Sequence, residues 1–293
     1  MDFTEQMKEK QEEINAMLTR YLPEETGEER LLFEAMNYSV NVGGKRIRPM
    51  LLSETYRMFG GTGSDADVFA VALELIHTYS LVHDDLPAMD NDRYRRGNLT
   101  THAKYGHAMG VLAGDGLLNY AFELMSEAVC TGGAPAAKAM AILAKKAGVT
   151  GMIAGQVVDV INTGKPLSKD RLDYINERKT SALICGALMA GAALAGATDE
   201  ELHCLEQIGI LVGLAFQIKD DILDVIGDEA KLGKPVHSDE KNEKNTYVTL
   251  IGIESAEQRV REYSEKAVGL LDSLTCENPF LKQLLLSLAT RDY

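Results

Sequence analysis

The sequence DADVFAVALELIHTYSLVH, residues 65–83, consists almost entirely of helix-forming and apolar residues. It is long enough for about five helical turns. A helix that is apolar around most of its circumference is surrounded by other elements rather than packed on a surface. The stretch therefore predicts a helix in the middle of a helical bundle.

Helical periodicity continues on both sides of this stretch. Ile14, Met17, Leu18 and Tyr21 follow the spacing i, i+3, i+4, i+7 near the N-terminus. Alternating β-branched runs are scarce, and Gly and Pro collect at the joints. We expect an all-α fold in which the chain forms a single-domain bundle of about ten or more helices around a central apolar cavity. Further helices are predicted at 106–130, 134–147, 149–162, 168–196, 199–226, 246–273 and 278–290.

The composition restricts the function. With 30 Lys and Arg against 44 Asp and Glu, the net charge is −14, which argues against a nucleic-acid or anionic-membrane surface. Four scattered cysteines without a Cys-x-x-Cys spacing are typical of free thiols in a reducing compartment. No apolar run reaches the roughly 18–20 residues that span a bilayer, and the charged N-terminus does not resemble a signal peptide. We expect a soluble, cytoplasmic protein.

An acidic cluster lies in FQIKDDILD, residues 216–224. Asp220 and Asp224 share one face of a helix, with Asp221 on the same side and Gln217 one turn earlier. Like charges at this spacing destabilise a helix unless a cation lies among them. The cluster predicts either an acidic solvated face or a site for a hard divalent cation, above all Mg²⁺.

A second acidic cluster, DDLPAMD, follows the apolar helix at residues 84–90. Asp84 and Asp90 are six residues apart, a spacing that does not return to one face of a regular helix. Pro87 disfavours uninterrupted helix, so the intervening residues are expected to loop out and bring Asp90 beside Asp84. His77 lies on the same helical stripe, about 10 Å before Asp84. The segment predicts either a helix-ending acidic loop or one wall of a metal site.

Basic residues accompany both clusters. In NVGGKRIRP, residues 41–49, two glycines permit close approach of the backbone to a ligand, and three cations follow. Two arginines in YRRGN, residues 94–98, follow the acidic loop, and planar guanidiniums suit bidentate binding of diphosphate oxygens. Solvated basic surface is the alternative for each. The candidates are Lys45, Arg46, Arg48, Arg95, Arg96, Lys179 beside Thr180, and Lys244.

One reaction needs all of these features together, the ionisation of an allylic diphosphate. Mg²⁺ and basic groups stabilise the charge on the departing diphosphate. An apolar cavity keeps water away from the carbocation that remains. A helical bundle with two acidic clusters and several cations supplies each of these requirements.

Six segments occur in an order and spacing that are specific when taken together. They are GGKRIRP at 43–49, HTYSLVHDDLPAMDND–RRG at 77–97, GMIAGQ–D at 151–159, KTSAL at 179–183, GLAFQIKDDILDVIGD at 213–228 and KNTY at 244–247. The set resembles the trans-isoprenyl diphosphate synthases, the short-chain polyprenyl synthetase family. The resemblance runs over nearly all of 1–293 and implies one polyprenyl synthetase domain with the isoprenoid synthase fold, usually as a homodimer.

The resemblance also implies roles for the charged residues. Isopentenyl diphosphate, the nucleophilic substrate, would be bound by Gly44, Lys45, Arg48, His77 and Arg96. The allylic diphosphate would be bound by Arg95, Lys179, Thr180, Gln217 and Lys244. Three Mg²⁺ ions, or Mn²⁺ in their place, would be coordinated by Asp84, Asp85 and Asp90 from one side and by Asp220, Asp221 and Asp224 from the other. Catalytic roles are thereby implied for Asp84, Asp85, Asp90, Arg95, Lys179, Thr180, Gln217, Asp220 and Lys244. Some relatives close a basic tail on the substrate, but this chain ends in ATRDY, and the role of Arg291 stays open.

The resemblance further implies the product. Tyr79 lies five residues before Asp84, about 7–8 Å deeper along the helix, and Ser80 lies four before it. An aromatic residue there, with two extra residues in the first motif, is the bacterial farnesyl pattern. It implies condensation of isopentenyl diphosphate with dimethylallyl or geranyl diphosphate to farnesyl diphosphate (C15) by ionisation, condensation and elimination.

Several alternatives to this interpretation remain open. The same machinery also fits a geranylgeranyl (C20) product. A non-catalytic accessory subunit is a further reading, although both acidic motifs are intact. The four basic residues at the isopentenyl site argue against a terpene cyclase, which has no second substrate. Tyr79 itself could be simple core packing.

Overall fold

The computed structural model describes residues 2–226 and 245–290. The helices of these ranges confirm the predicted all-α class. They are α1 Phe3–Tyr21, α2 Arg30–Asn41, α3 Ile47–Met58, α4 Asp67–Asp84, α5 Thr101–Tyr105, α6 His107–Ala147, α7 Met152–Ile161, α8 Lys169–Asn176, α9 Ala182–Leu194, α10 Asp199–Ile226, α11 Tyr247–Ile251, α12 Ile253–Asp272 and α13 Pro279–Thr290. A π-helical turn, Glu177–Ser181, joins α8 to α9, and the short strands β1 Tyr94–Arg95 and β2 Asn98–Leu99 pair antiparallel.

The apolar stretch at 65–83 forms the buried helix that its composition predicts. α4 packs against α3, α6 and α9, and Phe69, Leu73, Leu75 and Ile76 are at most 1% exposed. Each such side chain contributes roughly 1.5–3 kcal/mol when it is fully buried. The C-terminal end of α4, which carries Asp84, is therefore held firmly by the core.

α6 is kinked where the sequence predicted a break between 130 and 134. Gly133 has a φ of 61° and a ψ of −143°, outside the helical region. Pro135 follows two residues later, near the start of the second half of the helix, where its missing N–H costs little. The two predicted helices thus form one long element with a bend.

The predicted helix 168–196 is divided by the π-helical turn, which the periodicity did not indicate. Such turns are rare and often lie at functional sites. Two glycines bring neighbouring helices onto this turn. A Cβ on Gly155 of α7 would lie 2.3 Å from the backbone nitrogen of Lys179, and one on Gly213 of α10 would lie 2.2 Å from Oγ of Ser181. No larger residue fits at either position without a shift, so α7 and α10 pack directly against the turn.

The predicted helix 246–273 is also divided, between α11 and α12. Gly252 between them has a φ of 78°, which glycine adopts without steric strain. The larger hydrophobic cluster contains most of the buried side chains of α1–α6 and α9, and a smaller one joins α8, α10, α11 and α12. α10 contributes to both clusters. One domain for 1–293 stays a prediction.

Membrane-spanning character was searched for in the described residues only. None of their helices combines the length and the apolar character that crossing a membrane requires.

Candidate active site

The acidic loop after α4 closes on itself. The helix ends at Asp84, and the backbone N–H of Asp90 donates a 2.9 Å hydrogen bond to the carbonyl oxygen of Asp84. Asn91 directly afterwards has a φ of 54°, a left-handed value that Asn tolerates better than most residues. The six-residue spacing is thus compatible with two aspartates that are neighbours in space.

The carboxylate of Asp84 lies in a partly buried position between α4 and α7. Its Oδ1 accepts a 2.7 Å hydrogen bond from Nε2 of Gln156. Burial raises the pKa of Asp84 to about 6, Lys179 lowers it, and the nearby Asp90 raises it. A carboxylate in this environment is stabilised in its charged form by any cation that binds beside it.

Asp85 points to a different partner. Its carboxylate accepts hydrogen bonds from Nε of Arg95 at 3.0 and 2.9 Å and from Nη2 at 2.6 Å. Burial raises the pKa of Asp85, against the effect of Arg95, and the residue is 4% exposed. This bidentate contact makes Asp85 the anchor of Arg95. A role as a direct metal ligand stays a prediction.

The π-helical turn presents Lys179 and Thr180. Nζ of Lys179 forms a 2.6 Å ion pair with Oδ2 of Asp159 on α7. Burial alone would lower the pKa of Lys179, but Asp159 and then Asp84 outweigh it, and the pKa is raised. This lysine is therefore a fixed cation between two acidic side chains.

A chain of hydrogen bonds leads from the π-helical turn to α10. The Thr180 hydroxyl donates to Oε1 of Gln217 at 3.0 Å, and Nε2 of Gln217 donates to Oδ1 of Asp221 at 3.1 Å. Oδ2 of Asp221 accepts from the backbone N–H of Tyr247 at 2.8 Å. Gln217 is thus oriented by both neighbours, and Asp221 contributes to holding the start of α11.

One cavity of about 340 Å³ combines residues from four of these elements. It lies between β1, which carries Arg95, and α7, the π-helical turn and α10. The acidic end of α10 and the arginine after the first acidic cluster therefore face the same space. Its charged and polar lining includes Arg95, Asp159, Lys179, Thr180, Gln217, Asp220 and Asp221.

The third aspartate of α10, Asp224, is 2% exposed and does not line this cavity. Among residues 2–226 and 245–290, no three acidic, His or Cys side chains converge closely enough to hold a metal ion. The side chains at hand nevertheless fit a hard cation chemically, since Asp84, Asp90 and Asp220 offer only oxygen donors. The coordination predicted for the six aspartates stays a prediction.

A second group of cations lies at the start of α3. Nη1 of Arg48 lies 3.2 Å from Nε2 of His77. Burial lowers the pKa of His77 far below its usual value, and Arg48, Arg96, Arg95 and Arg46 lower it further. His77 is therefore neutral near pH 7. Because the arginine can only donate, Nε2 of His77 accepts and Nδ1 carries the proton.

Arg96 reaches the same glycine turn from the hairpin. Its Nη1 donates a hydrogen bond to the carbonyl oxygen of Gly43. A Cβ on Gly44 would lie 2.6 Å from Nη1 of Arg96, and Gly44 has a φ of +150°. The second glycine therefore provides the space in which Arg96 lies. Arg96 and Gly97 both have positive φ, as the central residues of a two-residue hairpin turn of type I′ do.

Arg46, the middle residue of the cationic run, faces the interior. Its guanidinium donates to Asn15, Glu74 and Val40 at 2.9, 2.7 and 2.7 Å. Arg46 is 4% exposed. It is a structural cation, whereas Lys45 beside it is exposed.

The residues proposed for the cavity floor lie on the buried face of α4. Tyr79 is 6% exposed. Its ring packs edge-on against that of His83, with 5.8 Å between the ring centroids. Burial, with a smaller effect of Asp84, raises the pKa of Tyr79 to about 12, so the phenol is neutral. Ser80 donates from its hydroxyl to the carbonyl oxygen of His77 at 2.8 Å, a local contact within the helix.

Three residues of the site had no role in the sequence interpretation. Gln156 and Asp159 were part of the motif GMIAGQ–D, and their i, i+3 spacing places both on one face of α7. That spacing was the available signal. Glu74 gave no signal, since it is a single acid within an apolar run. Lys244 and Arg291, by contrast, were predicted and lie outside the described residues.

Another cavity lies away from these residues. It measures about 600 Å³ and runs between α10, α12 and α13. Its lining mixes apolar residues such as Val260 and Leu286 with Lys219 and Arg261 at its edges. None of the predicted site residues lines it.

Comparison with known proteins places this helical bundle in the class of prenyltransferases. The family described as Polyprenyl synthetase matches residues 29–275. The chain belongs to the polyprenyl synthetase family, as its motifs predicted.

Individual relatives resemble nearly the whole chain. The farnesyl diphosphate synthase of Geobacillus stearothermophilus is 42% identical over 289 residues, 98% of this chain and 97% of that protein. The geranylgeranyl diphosphate synthase of Cyanophora paradoxa is 41% identical over 263 residues, 88% of this chain and 86% of that protein. The crystal structure of geranyltransferase from Helicobacter pylori, complexed with magnesium and isoprenyl diphosphate, has a TM-score of 0.84 and 33% identity, and the match covers 99% of this chain and 97% of that one.

Proposed function

We propose that this protein is a farnesyl diphosphate synthase that joins isopentenyl diphosphate to dimethylallyl or geranyl diphosphate. The relatives named above support the activity. The structural observation that carries it is the 340 Å³ cavity, in which Arg95 and Lys179 from separate elements face Asp220 of α10. A cavity with fixed cations at one side and carboxylates at the other suits a diphosphate that binds together with divalent cations.

The allylic diphosphate is assigned to this cavity. Arg95 is held in place by Asp85 and Lys179 by Asp159, so neither cation has to be ordered when the anion binds. Thr180 commits its hydroxyl hydrogen to Gln217, which leaves its oxygen able to accept a proton or a hydrogen bond. Lys244 is assigned to the same anion.

Three Mg²⁺ ions, with Mn²⁺ as an alternative, are assigned to the carboxylates at the ends of α4 and α10. Asp84 and Asp90, with Asp85 nearby, would hold ions from the end of α4, and Asp220, with Asp221 and Asp224, would hold one from α10. When bound, the metal would supply Lewis-acid stabilisation of the leaving diphosphate. The raised pKa of Asp84 supports this assignment, because a buried carboxylate gains most from a cation.

Isopentenyl diphosphate is assigned to the cations at the start of α3. Arg48 and Arg96, with Lys45 and the backbone at Gly44, would bind its diphosphate, and the neutral His77 would donate one hydrogen bond. The double bond of this substrate attacks the allylic cation, and a proton then leaves the new chain. The proton goes to the released diphosphate, close to Thr180 and Gln217.

The apolar side of α4 would exclude water from the carbocation and limit the growing chain. Tyr79, one turn and a half below Asp84, is assigned to the floor, with Ser80 beside it. The buried ring supports a C15 product. A C20 product is the second candidate, favoured by the similarity to the algal geranylgeranyl diphosphate synthase.

A homodimer is proposed as the working form. Exposed apolar side chains on the first turns of α6 and along α7 support it, since such a surface is usually covered by protein. They are Val111, Leu112, Ile153, Val157, Val160 and Ile161. The four free cysteines support a reducing compartment, the cytoplasm. Light scattering of the purified protein at micromolar concentration tests the dimer.

The activity is tested with the purified chain alone, Mg²⁺, labelled isopentenyl diphosphate and each allylic primer in turn. The expected result is incorporation of label into a C15 product that depends on Mg²⁺. A C20 product would replace the first candidate by the second. Incorporation only after addition of a partner protein would contradict the proposal and indicate an accessory subunit.

A further inference from the structure

Glu74 lies beneath the cations at the start of α3, one helical turn before His77 on α4. It is 2% exposed, although a carboxylate is among the groups least often buried. Its Oε1 accepts from Nη1 of Arg46 at 2.7 Å. Both side chains of this ion pair are only 3% exposed.

The second oxygen of this carboxylate has a notable environment. Oε2 of Glu74 is buried and has no hydrogen-bond partner within residues 2–226 and 245–290. An acceptor left in this state destabilises the fold, and more so when it is charged. A buried, unpaired carboxylate oxygen therefore calls for a partner in another state of the protein.

Arg48 carries a complementary donor, and the charge of Glu74 acts on it. Nε of Arg48 is also buried and has no partner among the described residues, while Nη1 of the same guanidinium lies 3.2 Å from Nε2 of His77. Burial lowers the pKa of Arg48, and the charge of Glu74 is the main effect that opposes this. Glu74 also opposes the lowering of the pKa of Arg96. The carboxylate thus acts on both arginines assigned to isopentenyl diphosphate.

The neighbouring Arg46 pairs with the other oxygen of Glu74. Its guanidinium donates to Asn15, to Val40 and to Oε1 of Glu74, and its left-handed backbone, with a φ of 53°, lies immediately before α3. Arg46 fixes Oε1 and thereby the direction of Oε2. Arg48 follows two residues later, at the second position of the same helix.

We propose that Glu74 is a positioning residue for the isopentenyl diphosphate site. When the diphosphate binds, Nε of Arg48 donates to Oε2 of Glu74, and the two Nη groups turn to the anion. The carboxylate of Glu74 would orient the guanidinium of Arg48 and stabilise its positive charge in the buried site, without contacting the substrate. This role rests on the proposed function only for the identity of the anion.

The chain offers a matched control, Glu54. This glutamate is also buried at 4% exposure and forms a 2.6 Å ion pair with Lys10. It accepts a further hydrogen bond from Asn278, and it does not line the cavity assigned to the allylic diphosphate. A purely structural effect of losing a buried carboxylate should appear equally in Glu54→Gln and Glu74→Gln.

The test is calorimetric titration of the purified full chain with isopentenyl diphosphate, together with steady-state kinetics. Glu74→Gln is expected to raise the Kd for isopentenyl diphosphate about tenfold or more and to leave KM for geranyl diphosphate within about twofold. Glu54→Gln is expected to lower the unfolding temperature and to leave the same Kd unchanged. If Glu74→Gln does not fold, Glu74→Asp, which retracts the charge by one methylene, takes its place with a smaller rise.

A double-mutant cycle separates orientation from general charge. Arg48→Lys has no Nε–H group, so adding Glu74→Gln to it should weaken binding much less than in the wild type. Equal losses in both backgrounds, an unchanged Kd, or equal weakening of both substrates would overturn the proposal. A wild type that binds isopentenyl diphosphate but transfers no prenyl group would refute the proposed function and leave this test intact.

Discussion

Asp90 returns to Asp84 through a backbone hydrogen bond of 2.9 Å across the loop that contains Pro87. The contact brings together two carboxylates that a regular helix would point in different directions. It connects the spacing of the motif directly to its chemistry. Asp84 is partly buried and Asp90 is exposed, so the pair extends from the end of the buried helix to the surface.

The first prediction concerns these two aspartates. Asp84→Asn and Asp90→Asn should each lower kcat about 100-fold or more. Each change removes a carboxylate that would hold a metal ion, and the positive charge of that ion stabilises the leaving diphosphate. Asp90→Asn should leave the unfolding temperature almost unchanged, since Asp90 is exposed. Asp199→Asn, which removes an exposed carboxylate paired with Lys138, is the control. Normal turnover by Asp90→Asn would contradict its assignment.

The second prediction concerns the ion pair between Asp159 and Lys179. Asp159→Asn should raise KM for the allylic substrate about tenfold. Lys179 then loses the ion pair that fixes its position, in which Nζ lies 2.6 Å from Oδ2 of Asp159. KM for isopentenyl diphosphate should stay unchanged. Glu206→Gln breaks a comparable ion pair with Lys146 away from the site and should alter neither constant. A rise of both KM values together would show that Asp159 supports the fold rather than the allylic site.

The third prediction concerns product length. Tyr79→Ala should yield products longer than C15, since it removes the buried ring below Asp84. Tyr79→Phe retains the ring and should still stop at C15. Chromatography of the dephosphorylated products distinguishes the two. If Tyr79→Ala makes only C15, the ring is core packing and not the floor.

The fourth prediction is a pH dependence of stability that depends on His77. Burial and the cations Arg48, Arg96, Arg95 and Arg46 hold the pKa of His77 well below its usual value. Below about pH 6.5 the unfolded chain therefore binds a proton at His77 that the folded chain does not bind. The free energy of unfolding decreases as the pH falls, by at most about 1.4 kcal/mol per pH unit. Above that pH the residue is neutral in both states and contributes no slope.

Chemical denaturation at several pH values between about 5 and 8 measures this slope. His77→Gln should flatten the decline below pH 6.5 relative to the wild type. His203 is an exposed histidine whose Nδ1 lies 3.9 Å from Oε2 of Glu206, and His203→Gln should keep the wild-type slope. An unchanged slope in His77→Gln would show that the folded protein does not lower the pKa of His77.

Parts of this structure followed directly from local chemistry. The apolar run at 65–83 required a central helix, and Pro87 made a loop between Asp84 and Asp90 the simplest arrangement. Gly and Pro near 132–135 predicted the bend in α6. In each case the physical cause lay within a few residues of its effect.

Other features depend on partners that are distant in the chain. The π-helical turn at Glu177–Ser181 is packed between α7 and α10, and nothing in its own sequence separates it from a regular helix. Asp85 appeared equivalent to Asp84 in sequence, yet the hairpin brings Arg95 onto it. Glu74 acquires its environment from Arg46, which is 28 positions away along the chain.

The central claim is that the ends of α4 and α10 act on one diphosphate. A crystal structure of this chain with Mg²⁺ and a non-hydrolysable diphosphate analogue tests it most directly. The account predicts that Asp84 and Asp90 approach the metal and the anion from one side and Asp220 from the other, with Arg95 and Lys179 on the anion. Acidic clusters that face separate exteriors, with the analogue bound to neither, would contradict it.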